Sequence, residues 1–152
     1  MLTKTIVRTE HAPSPKGPYS QGVIAGDLVY VAGQGPVDPQ SGELRLGDIR
    51  SECELTLKNI EAILRASGTG LENVVQCRVY LADLKDFAAM NEIYCRFFPD
   101  NPPARTTVGA GSLLNGIKIE IDAVALAGDR KRERAHRAER SRSAGRQRNR
   151  RR

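Results

Sequence analysis

Apolar and polar positions alternate most cleanly late in the chain. Ile117, Ile119, Ile121 and Ala123 interleave with Lys118, Glu120 and Asp122. A period of two marks a strand with one buried face, so 117–126 is predicted to be one. The same period places a strand over 73–82, where Cys77, Val79 and Leu81 alternate with Gln76, Arg78 and Tyr80. Residues 49–67 change period: Cys53, Leu57, Ile60 and Leu64 recur at i, i+4, i+7 and i+11, the apolar stripe of a helix. Asp48 suits its N-cap and Gly68 its C-terminal stop. A second helix is predicted over 86–98, with Asp86 as cap and Phe87, Met90, Tyr94 and Phe97 as its stripe, ended by the Pro99–Pro103 segment.

The remaining elements follow from turn chemistry. KTIVRT (4–9) reads as a first strand and HAPSPKGPYSQG (11–22) as a Pro- and Gly-rich loop. Two apolar runs about Gly26-Asp27 read as a hairpin. A short β-prone stretch, 105–109, follows the second helix. The glycine-rich VGAGSLLNG (108–116) lies between two strands and is expected to be a hairpin loop, making strands 105–109 and 117–126 neighbours. The order βββ-α-β-α-ββ predicts an α+β fold, one mixed sheet with both helices on one face.

Charge divides the chain. Residues 129–152 hold 12 Arg or Lys against 3 Asp or Glu, a net of +9, and residues 1–128 hold 12 against 15, a net of −3. The prediction is a mildly acidic domain over 1–128 and a basic tail over 129–152. The tail is too poor in apolar residues to offset the entropy of ordering, so it is expected to be disordered. It also fits weak, sequence-blind nucleic-acid binding. An odd count of three cysteines without CxxC spacing fits reduced thiols in a cytoplasmic protein. The chain shows no apolar signal segment and no apolar run of about 20 residues, so no membrane association is expected.

Most catalytic signatures are missing from the sequence. It holds no HExxH or His-x-His pattern for zinc, no GxxxxGK[ST] or GxGxxG for phosphates or dinucleotides, and no GxSxG nucleophile motif. Polar residues near strand ends remain: Tyr19, Asn91, Arg105, Thr107 and Glu120. From the residues alone Arg105 and Glu120 are either a cross-strand ion pair or a working pair. In the second reading the planar guanidinium clamps a carboxylate and Glu120 moves a proton or orients a water. Tyr19 is either packed in its loop or part of that site, and Asn91 is either a surface amide or part of it.

Five segments carry a resemblance: GPYSQG (17–22), VYVAGQGPVDPQSGE (29–43), NIEAILRASG (59–68), VVQCRVYLADLKDFAAMNEIYCRFF (74–98), and PARTTV with IKIEIDAVA (103–108, 117–125). In order and spacing they resemble the RidA/YjgF family of imine deaminases, also called the liver perchloric-acid-soluble protein family. The resemblance implies a chorismate-mutase-like fold, a homotrimer with sites in clefts between subunits, and hydrolysis of enamines and imines such as 2-aminoacrylate to 2-keto acids and ammonia. That is 2-iminobutanoate/2-iminopropanoate-type deaminase activity, and it implies no metal or organic cofactor. Carried over, the family's site positions fall on Tyr19, Gly33, Asn91, Arg105 and Glu120. Two positions depart from the usual pattern: Ala32 stands where a serine is frequent, and Thr107 where a cysteine is common. Both bear on substrate preference. Two other functions remain to be weighed: RNA binding or ribonuclease activity, and a non-enzymatic ligand-binding trimer.

Overall fold

A computed structural model describes residues 4–128, so the basic segment 129–152 lies outside the described residues. Six strands form one mixed sheet: β1 (Lys4–Val7), β2 (Gly22–Ala25), β3 (Leu28–Gln34), β4 (Val74–Leu81), β5 (Ala104–Gly109) and β6 (Ile119–Leu126). Two helices, α1 (Ile49–Ala66) and α2 (Phe87–Phe97), complete the α+β domain. The strand order is β1-β2-β3-β6-β4-β5, with β4 and β5 parallel and every other pair antiparallel.

This order corrects one expectation. The loop after β5 is not a hairpin, because β4 lies between β5 and β6. β6 is the strand best suited to the centre: Ile119, Ile121, Ala123 and Ala125 are all buried under the helices. β5, rich in threonine and only half covered, takes the edge. The β4-α2-β5 crossover puts it there, since parallel neighbours need a long connection.

The helical stripe of α1 is as predicted: Cys53, Leu57, Ile60, Ile63 and Leu64 are fully buried against the sheet and α2. Each large aliphatic side chain so buried contributes about 1.5–3 kcal/mol. The Asp48 carboxylate accepts the Ser51 N–H at 2.9 Å, and that bond holds its pKa below the ordinary value. Gly68 closes the helix at φ +83°. The Gly26-Asp27 turn has φ +60° at its first residue, as a type II′ hairpin requires.

The start of α2 differs from expectation. A 3₁₀ turn, Leu84–Asp86, precedes it, and Asp83 rather than Asp86 supplies the capping carboxylate, accepting the Lys85 N–H at 2.9 Å. The buried face of α2 is Met90, Ile93 and Tyr94, continued by Phe98, whereas Phe87 is 41% exposed. Among the described residues no helix is long and apolar enough to cross a membrane.

Candidate active site

The predicted site residues fall into two groups on opposite faces of the sheet. Arg105 pairs in register with Cys77, and Cys77 points into the helix-covered core. Arg105 therefore emerges on that face, at the β5 edge, beside α2. Its Nη1 donates to Asn91 Oδ1 at 2.8 Å. Its guanidinium carbon lies 4.6 Å from the Tyr94 ring centre and 5.6 Å from that of Phe87. Phe87, Asn91 and Tyr94 stand at i, i+4 and i+7, one face of α2. Thr107, two residues along β5, shares the Arg105 face, and its buried hydroxyl has no hydrogen-bond partner. Arg105 forms no ion pair with any described residue. A half-buried guanidinium with aromatic walls and no carboxylate partner among the described residues has donors left with which it could accept an anion.

Glu120 belongs to the other face. It stands opposite Tyr80 on β4, away from the helices. Of the two readings the residues alone allowed, a cross-strand ion pair between Arg105 and Glu120 does not form within one chain: a strand separates them and their side chains leave opposite faces. Glu120 lines a cleft of about 470 Å³ together with Tyr19, Ala32, Gly33, Val37 and Leu114. Partial burial, and after it the nearby Asp122 charge, raise the Glu120 pKa above the ordinary glutamate value. A raised pKa makes the carboxyl easier to protonate than an ordinary glutamate, which suits a group that takes up and returns a proton.

A β-bulge shapes this cleft. Val31 pairs with Ala123 and Gln34 with Ile121, so Ala32 and Gly33 together face Asp122. Such bulges re-aim side chains and backbone beside sites. A Cβ at Gly33 would overlap Glu120 Oε1 and lie 3.1 Å from its carboxyl carbon. Only glycine lets the β3 backbone approach the carboxylate this closely. Tyr19 is 54% exposed at the cleft mouth, its hydroxyl accepting the Lys16 N–H at 3.4 Å.

Three buried polar residues that were not singled out from the sequence hold the cleft walls. Gln21 spans the Pro-rich loop: Nε2 donates to the carbonyls of Thr9, Ala12 and Pro13 at 2.9–3.1 Å, and Oε1 accepts the Thr9 N–H at 2.8 Å. Asn59 Nδ2 donates to the Gly35 and Val37 carbonyls at 3.2 and 2.9 Å. Glu52, fully buried in the first turn of α1, accepts the N–H groups of Gly47 at 3.1 Å and Lys118 at 2.7 Å. The signal for the last two was present: Glu52, Thr56 and Asn59 follow helical spacing beside the apolar stripe of α1, so they had to point inward.

The thiols stand apart from this chemistry. Burial raises the pKa of Cys53 to about 12 and of Cys77 to about 11, which leaves both as weak nucleophiles. Among the described residues no three His, Cys, Asp or Glu side chains are grouped to hold a metal ion.

Comparison with known proteins places this geometry. Residues 9–127 match the family model described as "Endoribonuclease L-PSP". A RutC family protein of Pyrococcus horikoshii is 46% identical over 122 residues, covering 80% of this chain and 97% of that protein. Human 2-iminobutanoate/2-iminopropanoate deaminase is 42% identical over 127 residues, covering 84% and 93%. Among solved structures, Escherichia coli TdcF with bound serine superposes with a TM-score of 0.78 at 38% identity, covering 82% of this chain and 99% of that chain. The YjgF gene product of Escherichia coli gives 0.77 at 38% identity, covering 80% and 98%.

Proposed function

Because this chain belongs to the RidA/YjgF family, we propose that it is a cofactor-independent hydrolase that converts enamines and imines such as 2-aminoacrylate to 2-keto acids and ammonia. The observation that carries this reading is Arg105, a half-buried guanidinium with no carboxylate partner among the described residues. Its free in-plane donors match the two oxygens of a substrate carboxylate. Asn91 fixes one edge of the fork, and Thr107 offers a hydroxyl beside it.

Glu120 supplies the proton chemistry. A proton from solvent water, added to the enamine carbon, gives an iminium. Glu120 takes a proton from a water as that water adds to the imine carbon. It returns the proton to nitrogen as the carbon–nitrogen bond breaks, releasing ammonia and the keto acid. The carboxylate ends unchanged, so no external reductant or base is consumed. Tyr19 and the Gly33 backbone line the same cleft and orient the reacting carbon. The substrate already hydrolyses in water, so placement and proton transfer provide most of what is needed.

Arg105 and Glu120 serve one substrate only if they come from different copies. A closed ring, with the β5 edge of one chain against the Glu120 cleft of the next, brings them together. A homotrimer of this heterologous kind is the assembly we assign. Tyr30, Val75 and Val108, exposed although apolar or aromatic, supply a surface for it. Two free, buried thiols fit a reducing, cytoplasmic setting.

The test is direct. A dehydratase generates 2-aminoacrylate from serine, and keto-acid release is followed with and without this protein. Acceleration that depends on Arg105 and Glu120 supports the deaminase. Release at the uncatalysed rate, with keto acid still bound, marks a non-enzymatic ligand-binding trimer instead. The basic segment 129–152 favours one additional property, salt-sensitive binding of nucleic acid.

A further inference from the structure

Tyr94 belongs both to the buried face of α2 and to the surroundings of Arg105. It is 95% buried at the centre of the α2 face, and its ring stacks on Phe98 with centroids 4.7 Å apart. Its hydroxyl is buried and, among the described residues, has no hydrogen-bond partner within ordinary bonding distance; the Cys77 thiol beside it is a weak partner. The hydroxyl therefore does not explain a tyrosine here, whereas the ring has a definite neighbour. The Arg105 guanidinium carbon sits over it at 4.6 Å, closer than over Phe87, and Phe87 is 41% exposed.

A guanidinium on a flexible stem has a broad choice of orientation. An aromatic face attracts the cation through its quadrupole and packs best against the flat face of the group. Asn91 then fixes one edge through Nη1. A face and an edge together define a plane and its rotation. The donors that remain are left pointing in one direction, out of the α2 side of β5, where a carboxylate can meet them.

We propose that Tyr94 is a positioning residue for substrate recognition: its ring is the platform that orients the Arg105 fork toward the substrate carboxylate, and its hydroxyl has no part in this. The inference rests on the deaminase reading, specifically on Arg105 as the carboxylate site. It predicts an effect limited to ligands that carry a carboxylate. A residue that merely fills the core would affect stability and would not distinguish among ligands.

The experiment titrates 2-oxobutanoate and its neutral amide, 2-oxobutanamide, into the full chain by calorimetry, per folded site, with thermal unfolding measured alongside. Tyr94→Leu and Tyr94→Met should weaken 2-oxobutanoate about tenfold and leave 2-oxobutanamide unchanged. In turnover the same variants should raise KM more than they lower kcat. Tyr94→Phe, which keeps the ring, should restore the affinity to within about twofold. Arg105→Lys is the reference arm. If it binds 2-oxobutanoate as wild type does, the carboxylate clamp itself is wrong. If it loses binding while Tyr94→Leu and Tyr94→Met do not, the clamp stands and the platform is wrong. Equal weakening of both ligands, or failure of both non-aromatic variants to fold while Tyr94→Phe folds, makes Tyr94 a packing residue and overturns the inference.

Discussion

Arg105 and Glu120 leave opposite faces of the same sheet, with β4 running between their strands. One chain therefore presents half of the proposed site on each face, and each half has its own physical requirement. Arg105, which no described carboxylate pairs with, is left with donors for an anion in the proposed site. Glu120 needs a close, unobstructed backbone beside it, which the bulge at Ala32 and Gly33 provides.

Arg105→Lys should fold normally and lose most of its catalytic efficiency. An ammonium keeps the charge but cannot present two parallel donors in a plane, nor offer a flat face to an aromatic ring. The expected drop in kcat/KM is about 100-fold, carried largely by KM. Steady-state kinetics with enzymatically generated 2-aminoacrylate, beside a thermal unfolding curve, checks it. Near-wild-type KM would remove Arg105 from substrate binding.

Glu120→Gln should slow hydrolysis about 10²–10⁴-fold while keto-acid binding persists. Its pH signature has a definite sign. Burial and Asp122 raise the Glu120 pKa above its ordinary 4.5, so the folded protein favours the protonated form. The cost of the charged form is absent at low pH and appears as pH rises through the raised value. Wild type should therefore lose stability relative to Glu120→Gln above that value, and the two should converge below about pH 4. Wild-type kcat should rise over the same interval as the base ionises. Unfolding midpoints that differ equally at every pH would show that Glu120 is not desolvated as described.

Gly33→Ala tests the close approach of β3. The Gly33 backbone is not left-handed, so alanine is acceptable to the chain itself, but its Cβ would overlap Glu120 Oε1. The carboxylate must swing away. Turnover should fall at least tenfold while the unfolding midpoint moves by only a few degrees. A fully active Gly33→Ala would mean that the observed Glu120 rotamer is not the working one.

The elements were legible in the sequence because their periods were clean: the α1 stripe and the alternation of β4 and β6 appear as read. Strand order was not legible. Nothing in VGAGSLLNG distinguishes a hairpin from a connection that steps over β4; the decision lies in which strand is apolar enough to be central, a comparison across the whole sheet. The site residues were legible as types, through their motif context, but their separation onto two faces was not, because it follows from that same strand order. Gln21, Glu52 and Asn59 escaped for a different reason. Their backbone partners lie 5 to 66 residues away, and sequence spacing shows that Glu52 and Asn59 point inward but not which backbone groups they meet.

Removal of residues 129–152 should separate imine turnover from any nucleic-acid binding. The segment carries 12 basic residues against 3 acidic ones, and none is aromatic, so any nucleic-acid binding it supports should be electrostatic and blind to sequence. The shortened chain should keep imine turnover and lose gel-shift binding that in the full chain weakens steeply between 50 and 200 mM salt, the range over which phosphate contacts are screened. If residues 1–128 still bind and cleave RNA, ribonuclease chemistry resides in the folded domain.

Subunit mixing tests the two-faced site most sharply. Arg105→Ala retains a good Glu120 half, and Glu120→Gln retains a good Arg105 half. If one site were built within one chain, a mixture of the two inactive variants would stay inactive. In a heterologous ring of three, every mixed ring has one junction where an intact Arg105 meets an intact Glu120. Random mixing in equal amounts makes about three-quarters of the rings mixed, each with one working site in three, so about one-quarter of wild-type activity should return. The measurement is turnover after the variants are unfolded together and refolded, with light scattering to confirm a mass near three times 16.7 kDa. Recovery near one-quarter fits a ring of three and assigns the two halves to different subunits. No recovery in rings shown to be mixed would return both residues to a single chain, and the opposite-face geometry would then have to change on substrate binding.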